Sequence, residues 1–205
     1  MTTSQLKKIT SNFREIKPLI NAQNDLVKQS NRIRRRLKTK LQNYKFLQNL
    51  VGVNASGSQL VNSVISLFKN LGFEKIENVD QKYRDEDIRL WHDDMLFIIE
   101  ITGVDTPQPT DNKAHQISKH IPIRQMQYPD YKVVGLFIVN HNNKKEYSKR
   151  EKKPFSERLI NIAEYHKYTL ITTVDLLKAF VRINNNHLKV LDFIQALCKT
   201  GEFKI

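Results

Sequence analysis

The sequence predicts an α/β fold in which helices flank a mixed β-sheet. Beyond residue 50, short apolar segments of strand length alternate with segments whose apolar residues recur at helical spacing. Within this region, residues 87–103 hold two strand patterns separated by only two residues, which predicts an antiparallel hairpin. The predicted order is helix, strand, hairpin, helix, strand, helix, strand and helix. Such an order combines antiparallel and parallel neighbours in one sheet.

The hairpin is the element from which the functional argument starts. Residues 87–92 alternate polar and apolar side chains, whereas residues 95–101 are almost all apolar, as in a strand buried on both faces. Asp93 and Asp94 form the predicted two-residue turn. Counting outward from this turn pairs His92 with Met95 and finally places Asp87 opposite Glu100.

Two acidic side chains at cross-strand distance repel each other. A poorly solvated pair therefore takes up a proton, finds a basic partner or binds a cation. Asp87 and Glu100 with room for water are typical of a Mg²⁺ site, because this ion prefers hard oxygen ligands. Thr102 lies two residues beyond Glu100, on the same side of the strand. The alternative is that Arg89 or Arg84 neutralises Glu100.

The remaining elements complete the predicted sheet and its two flanking layers. Pro122 is expected to limit the helix that starts at residue 111. Residues 142–153 hold six Lys or Arg residues and are predicted to be an exposed basic loop, facing either DNA or solvent. We predict helices at 58–70, 111–120, 160–165, 175–182 and 188–199, and strands at 73–78, 131–140 and 168–173.

Composition restricts the class of protein. The single cysteine, Cys198, excludes a disulfide framework and a cysteine-based zinc site. No apolar run approaches the roughly 20 residues of a membrane span, and the N-terminus lacks the apolar core of a secretory signal. The sequence therefore predicts a cytoplasmic protein. The net charge is +13, a basic excess that suits nucleic-acid phosphates.

Most of this excess lies in residues 1–50, where 12 Lys and Arg residues face only two acidic ones. We predict a first helix that Pro18 ends or kinks near Lys17, then an amphipathic helix over residues 22–50. This extension is expected to contact nucleic acid or to build a homodimer or larger assembly, and residues 51–205 to form the compact domain. The residues expected to contact nucleic acid are Arg32, Arg34, Arg35, Arg36 and Lys38.

In this order, the motifs resemble those of the PD-(D/E)XK, or restriction endonuclease-like, nuclease superfamily. Asp87 followed by Glu100-Ile101-Thr102 is similar to the superfamily's signature, and FIIEITG stands where its IEVKG-type strand stands. The segment before it, with a Gly-rich start and an LGF end, resembles the entry helix. The resemblance extends over residues 44–180.

This resemblance implies the restriction endonuclease-like core, with an N-terminal helical extension. It implies that Asp87, Glu100 and the backbone carbonyl of Ile101 hold Mg²⁺ or Mn²⁺. The superfamily's lysine is replaced by Thr102, and Lys113 on the following helix is the candidate to supply the charge, with Lys119 as the alternative. Gln116 is the candidate polar helper.

The implied function is that of a metal-dependent endonuclease, with DNA rather than RNA as the expected substrate and restriction or defence as the expected role. Many relatives carry an additional Glu on the entry helix, where this chain has Val61, which favours one metal over two. Two alternatives stay open. The chain is either a catalytically inactive nucleic-acid-binding or assembly module with the same fold, or a nuclease subunit that a partner activates.

Overall fold

The computed structural model describes residues 2–4, 16–79 and 86–205, with Lys113 described as part of its helix but without its side chain. The chain divides into two compact units, Met1–Lys45 and Phe46–Ile205. This division falls five residues before the predicted boundary at residue 50. No helix in the described part of the chain is long and apolar enough to cross a membrane.

The first unit contains helix α1, Ile16–Asn43. Pro18 lies within α1, close to the first described residue of that helix, so the helix does not end at Lys17. The rest of the predicted first helix falls on residues 5–15, outside the described residues. The predicted helix over 22–50 is interrupted at Tyr44, after which helix α2 runs over Lys45–Val51.

The second unit has the predicted α/β order, with a short sixth strand that the sequence did not predict. Its helices are α2, α3 (Gly57–Asn70), α4 (Asp111–Gln127), α5 (Glu157–Tyr165), α6 (Thr173–Asn184) and α7 (Val190–Leu197). Its strands are β1 (Lys75–Asn78), β2 (Ile88–His92), β3 (Met95–Gly103), β4 (Lys132–Asn140), β5 (Tyr168–Thr172) and β6 (Gly201–Glu202).

The described strands form one mixed sheet in the order β1-β2-β3-β4-β5-β6. Strands β1, β2 and β3 pair antiparallel, whereas β3, β4, β5 and β6 pair parallel. The carboxyl ends of β3, β4 and β5 therefore lie at one edge of the sheet, together with the start of β2. This edge is where the candidate functional residues lie.

Side chains of the central strands alternate between two apolar layers. In β3, Phe97 and Ile99 pack with α3, α6 and α7, whereas Leu96 and Ile98 pack with α4 and α5. The nearly continuous apolar sequence of β3 is explained by this burial on both faces. The mixed α/β prediction is confirmed.

Helix α4 is longer than predicted, because it continues through Pro122 to Gln127. Pro122 removes one helical hydrogen bond but lies on the exposed side of the helix. Two residues later, Arg124 is buried and hydrogen-bonds to the carboxylate of Glu86. This anchor on the buried side explains why the helix does not end at the proline.

The segment 142–153 is only partly the exposed loop that its charges predict. Its lysines are exposed, but Asn142, Asn143 and Arg150 are buried. The Arg150 guanidinium donates to the carbonyls of Val51 (2.7 Å) and Lys145 (3.1 Å) and to the side chain of Asn140. The segment is therefore fixed to the end of α2 and to the end of β4.

Candidate active site at the end of the hairpin

The predicted hairpin register is confirmed. The ladder pairs His92 with Met95 and continues without a slip to Ile88 and Ile99. Asp93 adopts a positive φ of 48°, as the first residue of a tight two-residue turn requires. Since a slip of one residue would turn every side chain to the other face, this register decides where the acidic residues lie.

Asp87 lies just beyond the last ladder pair, at the level of Glu100. Its backbone N–H donates to the carbonyl of Ile99 (3.0 Å), and its Oδ2 accepts from the backbone N–H of Ile101 (2.6 Å). These two bonds bracket Glu100 on the facing strand. The Asp87 carboxylate is thus held against the end of β3, beside the Ile101 peptide.

Glu100 and Thr102 lie on the face of the sheet that carries α4. By the alternation of β3 they share the face of Leu96 and Ile98, which pack against α4 and α5. Glu100 is half-buried and Thr102 is 9% exposed. The sheet edge therefore brings an aspartate, a glutamate and a threonine to one end of the hairpin.

The oxygen atoms at this edge fit a small hard cation. Two carboxylates and a backbone carbonyl, from Asp87, Glu100 and Ile101, are the kind of ligand that Mg²⁺ and Mn²⁺ accept together with water. No cluster of three or more His, Cys, Asp or Glu side chains suited to a metal occurs in residues 2–4, 16–79 and 86–205. A metal at this edge would be held by two side chains and the peptide carbonyl.

Sequence reasoning missed the acidic residue next to Asp87. Glu86 is fully buried, and its carboxylate accepts from Arg89 Nε (2.6 Å) and from Arg124 Nε and Nη2 (both 2.8 Å). Nδ1 of His120 lies 3.7 Å from Glu86 Oε2. Burial by itself raises the pKa of Glu86, but the hydrogen bonds from Arg124 and Arg89 lower it to about 2. Glu86 is therefore ionised at neutral pH.

This cluster defines the role of Arg89. The sequence offered Arg89 or Arg84 as a partner for Glu100. Arg89 bonds Glu86 through Nε, and its Nη1 lies 3.8 Å from Glu77 Oε2, while Arg84 lies outside the described residues. The sequence signal that was available is the charged pair at i and i+3, Glu86 and Arg89, but the contribution of Arg124 from 38 residues away requires the fold.

Helix α4 carries the predicted catalytic lysine and its polar neighbour. Ala114 and Ile117 pack the helix onto the apolar layer that Glu100 faces, and Lys113 lies in its first turn. Gln116 and the alternative, Lys119, are exposed on the helix. His120, on the predicted face of Lys113 and Gln116, reaches Glu86, so this face borders the start of β2.

Val61 has no role in a metal site. It is 5% exposed and packs in the apolar layer opposite the face of Glu100. The basic residues predicted to contact nucleic acid are exposed on α1, which has no buried residue: Arg32, Arg34, Arg35, Arg36 and Lys38.

Comparison with solved structures identifies the fold. The chain superposes on restriction endonuclease FokI with a TM-score of 0.52 and 13% identity, over 78% of this chain and 30% of that one. It also superposes on the small subunit of the heterodimeric restriction endonuclease R.BspD6I, with a TM-score of 0.53 and 11% identity, over 77% of this chain and 86% of that subunit. The second unit thus has a restriction endonuclease-like fold, as the sequence motifs imply.

No family model matches the chain, and no curated protein matches it. The chain spans about 30% of the FokI chain that it resembles. At identities of 11% and 13%, the likeness establishes the architecture of the sheet and its helices.

Proposed function

We propose that this chain is a metal-dependent nuclease that hydrolyses phosphodiester bonds, preferentially of DNA. The observation that carries this proposal is the position of Asp87, whose carboxylate is bonded to the Ile101 peptide across from Glu100. The same fold occurs in two restriction endonucleases, which favours a nuclease over other chemistry for this pair.

Asp87, Glu100 and the Ile101 carbonyl are the proposed ligands of Mg²⁺, with Mn²⁺ as a substitute. The ion, when bound, would lower the pKa of a water molecule and stabilise charge on the scissile phosphate. The Asp87–Ile101 hydrogen bond would hold the carboxylate and the peptide in one orientation. This preorganisation reduces the cost of assembling the site when substrate arrives.

Three residues are proposed to act on the substrate beside the metal ligands. The hydroxyl of Thr102 would hydrogen-bond and orient the attacking water, but it carries no positive charge. Lys113, in the first turn of α4, would offset the negative charge that develops on the phosphate. Gln116, one turn further on, would be a neutral hydrogen-bond donor toward the same group.

Helix α1 is proposed to hold the nucleic-acid backbone. Eight of its 28 residues are Lys or Arg and only Asp25 is acidic, so its attraction to phosphate is independent of base sequence and sensitive to salt. Apolar side chains also recur along α1 and are between 56% and 70% exposed: Leu19, Leu26, Ile33, Leu37 and Leu41. We propose that they pair two copies of the chain, as a homodimer or a larger assembly.

The test is a cleavage assay on supercoiled plasmid, linear duplex, single-stranded DNA and RNA, with Mg²⁺, Mn²⁺ or EDTA. We expect metal-dependent cutting that Glu100→Ala abolishes, while Glu74→Gln, which alters an exposed carboxylate before β1, leaves it unchanged. Lys113→Ala is expected to lower kcat about 10²-fold or more, whereas Lys119→Ala has little effect. A large loss of kcat in Lys119→Ala, with little effect in Lys113→Ala, would indicate that Lys119 supplies the positive charge beside the phosphate.

A specific observation favours a second candidate, a binding module without catalysis. Thr102 stands where the resemblance leads one to expect a lysine. This candidate predicts salt-sensitive gel shifts that Glu100→Ala leaves unchanged, and no cutting in either metal. Metal-dependent stabilisation without cutting would instead indicate a nuclease subunit that requires a partner.

A further inference from the structure

A shallow, open cavity with polar groups in its wall lies near the candidate active site, within the second compact unit. It forms where the end of β3 meets the segment before α3, the start of α4 and the segment after β4. Gly103, only three residues beyond Glu100, forms part of its wall. The residues that matter for its chemistry are Ser56, Thr110, Asn143, Lys144 and Asp105.

Asn143 places an unused amide in the wall of this cavity. It is 8% exposed, its backbone N–H donates to the carbonyl of Val104 (2.9 Å), and its carbonyl accepts from the N–H of Asn54 (2.7 Å). Its side chain has no hydrogen bond with the residues that the structure describes, and its Nδ2 lies 3.2 Å from the position that a Cβ on Gly103 would occupy. The amide group is not sealed from solvent, so a ligand in the cavity can accept from it in place of water.

Two long helices begin at the same cavity. Ser56 is the N-cap of the 14-residue α3 and Thr110 is the N-cap of the 17-residue α4, and neither side chain accepts a hydrogen bond from its own helix. The N-terminus of a helix carries partial positive charge and attracts anions. Lys144 adds a full positive charge at the rim. Together these groups supply hydrogen-bond donors and positive potential.

We propose that this cavity binds a backbone phosphate of the nucleic acid, next to the phosphate that is cut. The Asn143 amide and the Thr110 hydroxyl donate to the phosphate oxygens, and Lys144 neutralises their charge. The choice of nucleic acid as the ligand rests on the proposed function. Binding of a phosphodiester in this cavity does not require that the chain also cleaves the nucleic acid.

One group in the cavity opposes an anion. Asp105 lines it and accepts from Lys144 Nζ at 3.1 Å. Both side chains are exposed, so Lys144 is free to exchange the carboxylate for a phosphate without burying a charge. Removing the Asp105 charge should therefore strengthen phosphate binding, whereas a cation site would be weakened by the same change.

The experiment measures binding of a fluorescein-labelled DNA duplex by anisotropy in EDTA over a series of salt concentrations. Asn143→Asp and Thr110→Val are each expected to raise Kd about tenfold, because each removes a hydrogen bond to a charged acceptor. Lys144→Gln should reduce the slope of log K against log salt by about one. Asp105→Asn should lower Kd. Lys204→Gln is the matched control, since Lys204 is also exposed and lies near an acidic partner, Glu202.

Two results would overturn the proposal. One is unchanged binding in both Thr110→Val and Lys144→Gln, and the other is weaker binding in Asp105→Asn. Melting temperatures identify any variant that fails to fold. If Asn143→Asp does not fold, the binding measured for Thr110→Val decides whether the cavity binds phosphate. Glu100→Ala separates the two proposals, because it should lose cleavage and keep binding. Wild type that binds without cutting and without stabilisation by metal, with affinity lost in Thr110→Val, would refute the nuclease and keep the phosphate subsite.

Discussion

Glu86 and Asp87 are adjacent in the sequence but have different electrostatic environments. Glu86 is fully buried, and two arginines bond both of its oxygens. Asp87 is half-buried, and its Oδ2 accepts a hydrogen bond from the backbone N–H of Ile101. The comparison teaches that neighbouring carboxylates at this edge differ in role. Glu86 joins α4 to the start of β2, whereas Asp87 is the residue proposed above as a metal ligand.

The largest expected effect separates these two purposes. Arg124→Met removes the cation that bonds both oxygens of Glu86 and leaves a buried, under-compensated carboxylate. Loss of one partner from such a pair costs about 3–5 kcal/mol of unfolding free energy. Urea denaturation followed by circular dichroism measures it.

Asp87→Asn is the matched variant one position further along the chain. The amide oxygen can still accept from the Ile101 N–H, so we expect the unfolding free energy to change by less than about 1 kcal/mol. Metal-dependent cleavage should nevertheless be lost. A large loss of stability in Asp87→Asn, or none in Arg124→Met, would contradict the division of roles.

The second effect depends on pH. The folded-state pKa of Glu86 is about 2, below its ordinary value of 4.5, so its contribution to stability is complete above about pH 4.5 and is lost as pH falls toward 2. The contribution is on the order of 3 kcal/mol. The urea midpoint of wild type should therefore exceed that of Glu86→Gln by most near neutral pH, and the two midpoints should converge in acid. A constant difference from pH 7 to pH 3 would refute this assignment.

The difference between Glu86 and Asp87 also shows which features the sequence can predict. Periodicity and a two-residue turn are local signals, so the hairpin register and the position of Asp87 at the level of Glu100 could be derived from residues 87–101 alone. Local patterns do not predict that Glu86 is buried, because its main partner, Arg124, is 38 residues away on a helix that Pro122 was expected to limit. An anchor of this kind is visible only after folding.

The same reason accounts for the errors elsewhere. Six basic residues in 142–153 predicted an exposed loop, but Arg150 bonds the carbonyl of Val51, almost a hundred residues earlier, and is buried. The two-residue strand β6 is too short to have a periodicity. Long-range contacts override local composition in both cases, whereas elements with strong local periodicity, such as α3, were predicted nearly to their ends.

The smallest expected effect tests packing without altering a charge. A Cβ on Gly103 would lie 2.7 Å from the carbonyl oxygen of Ala55 and 2.9 Å from Cβ of Ser56, so the backbone must move to accept it. We expect Gly103→Ala to cost about 1–3 kcal/mol of unfolding free energy, as overpacking does. Because Gly103 ends the strand that carries Glu100, cleavage should fall as well.

Gly72→Ala serves as the control for Gly103→Ala. Gly72 has a positive φ of 95° with open space around its Cβ position. Alanine at this position would therefore strain the backbone at the end of α3, away from the sheet edge, without a steric clash. The unfolding free energy of Gly72→Ala should fall by a similar amount, while the protein that remains folded should still cleave. If both variants lost cleavage in proportion to stability, the position of Gly103 beside the site would have no specific effect. Loss of cleavage confined to Gly103→Ala would show that the proposed metal ligands depend on the packing of β3 against the segment before α3.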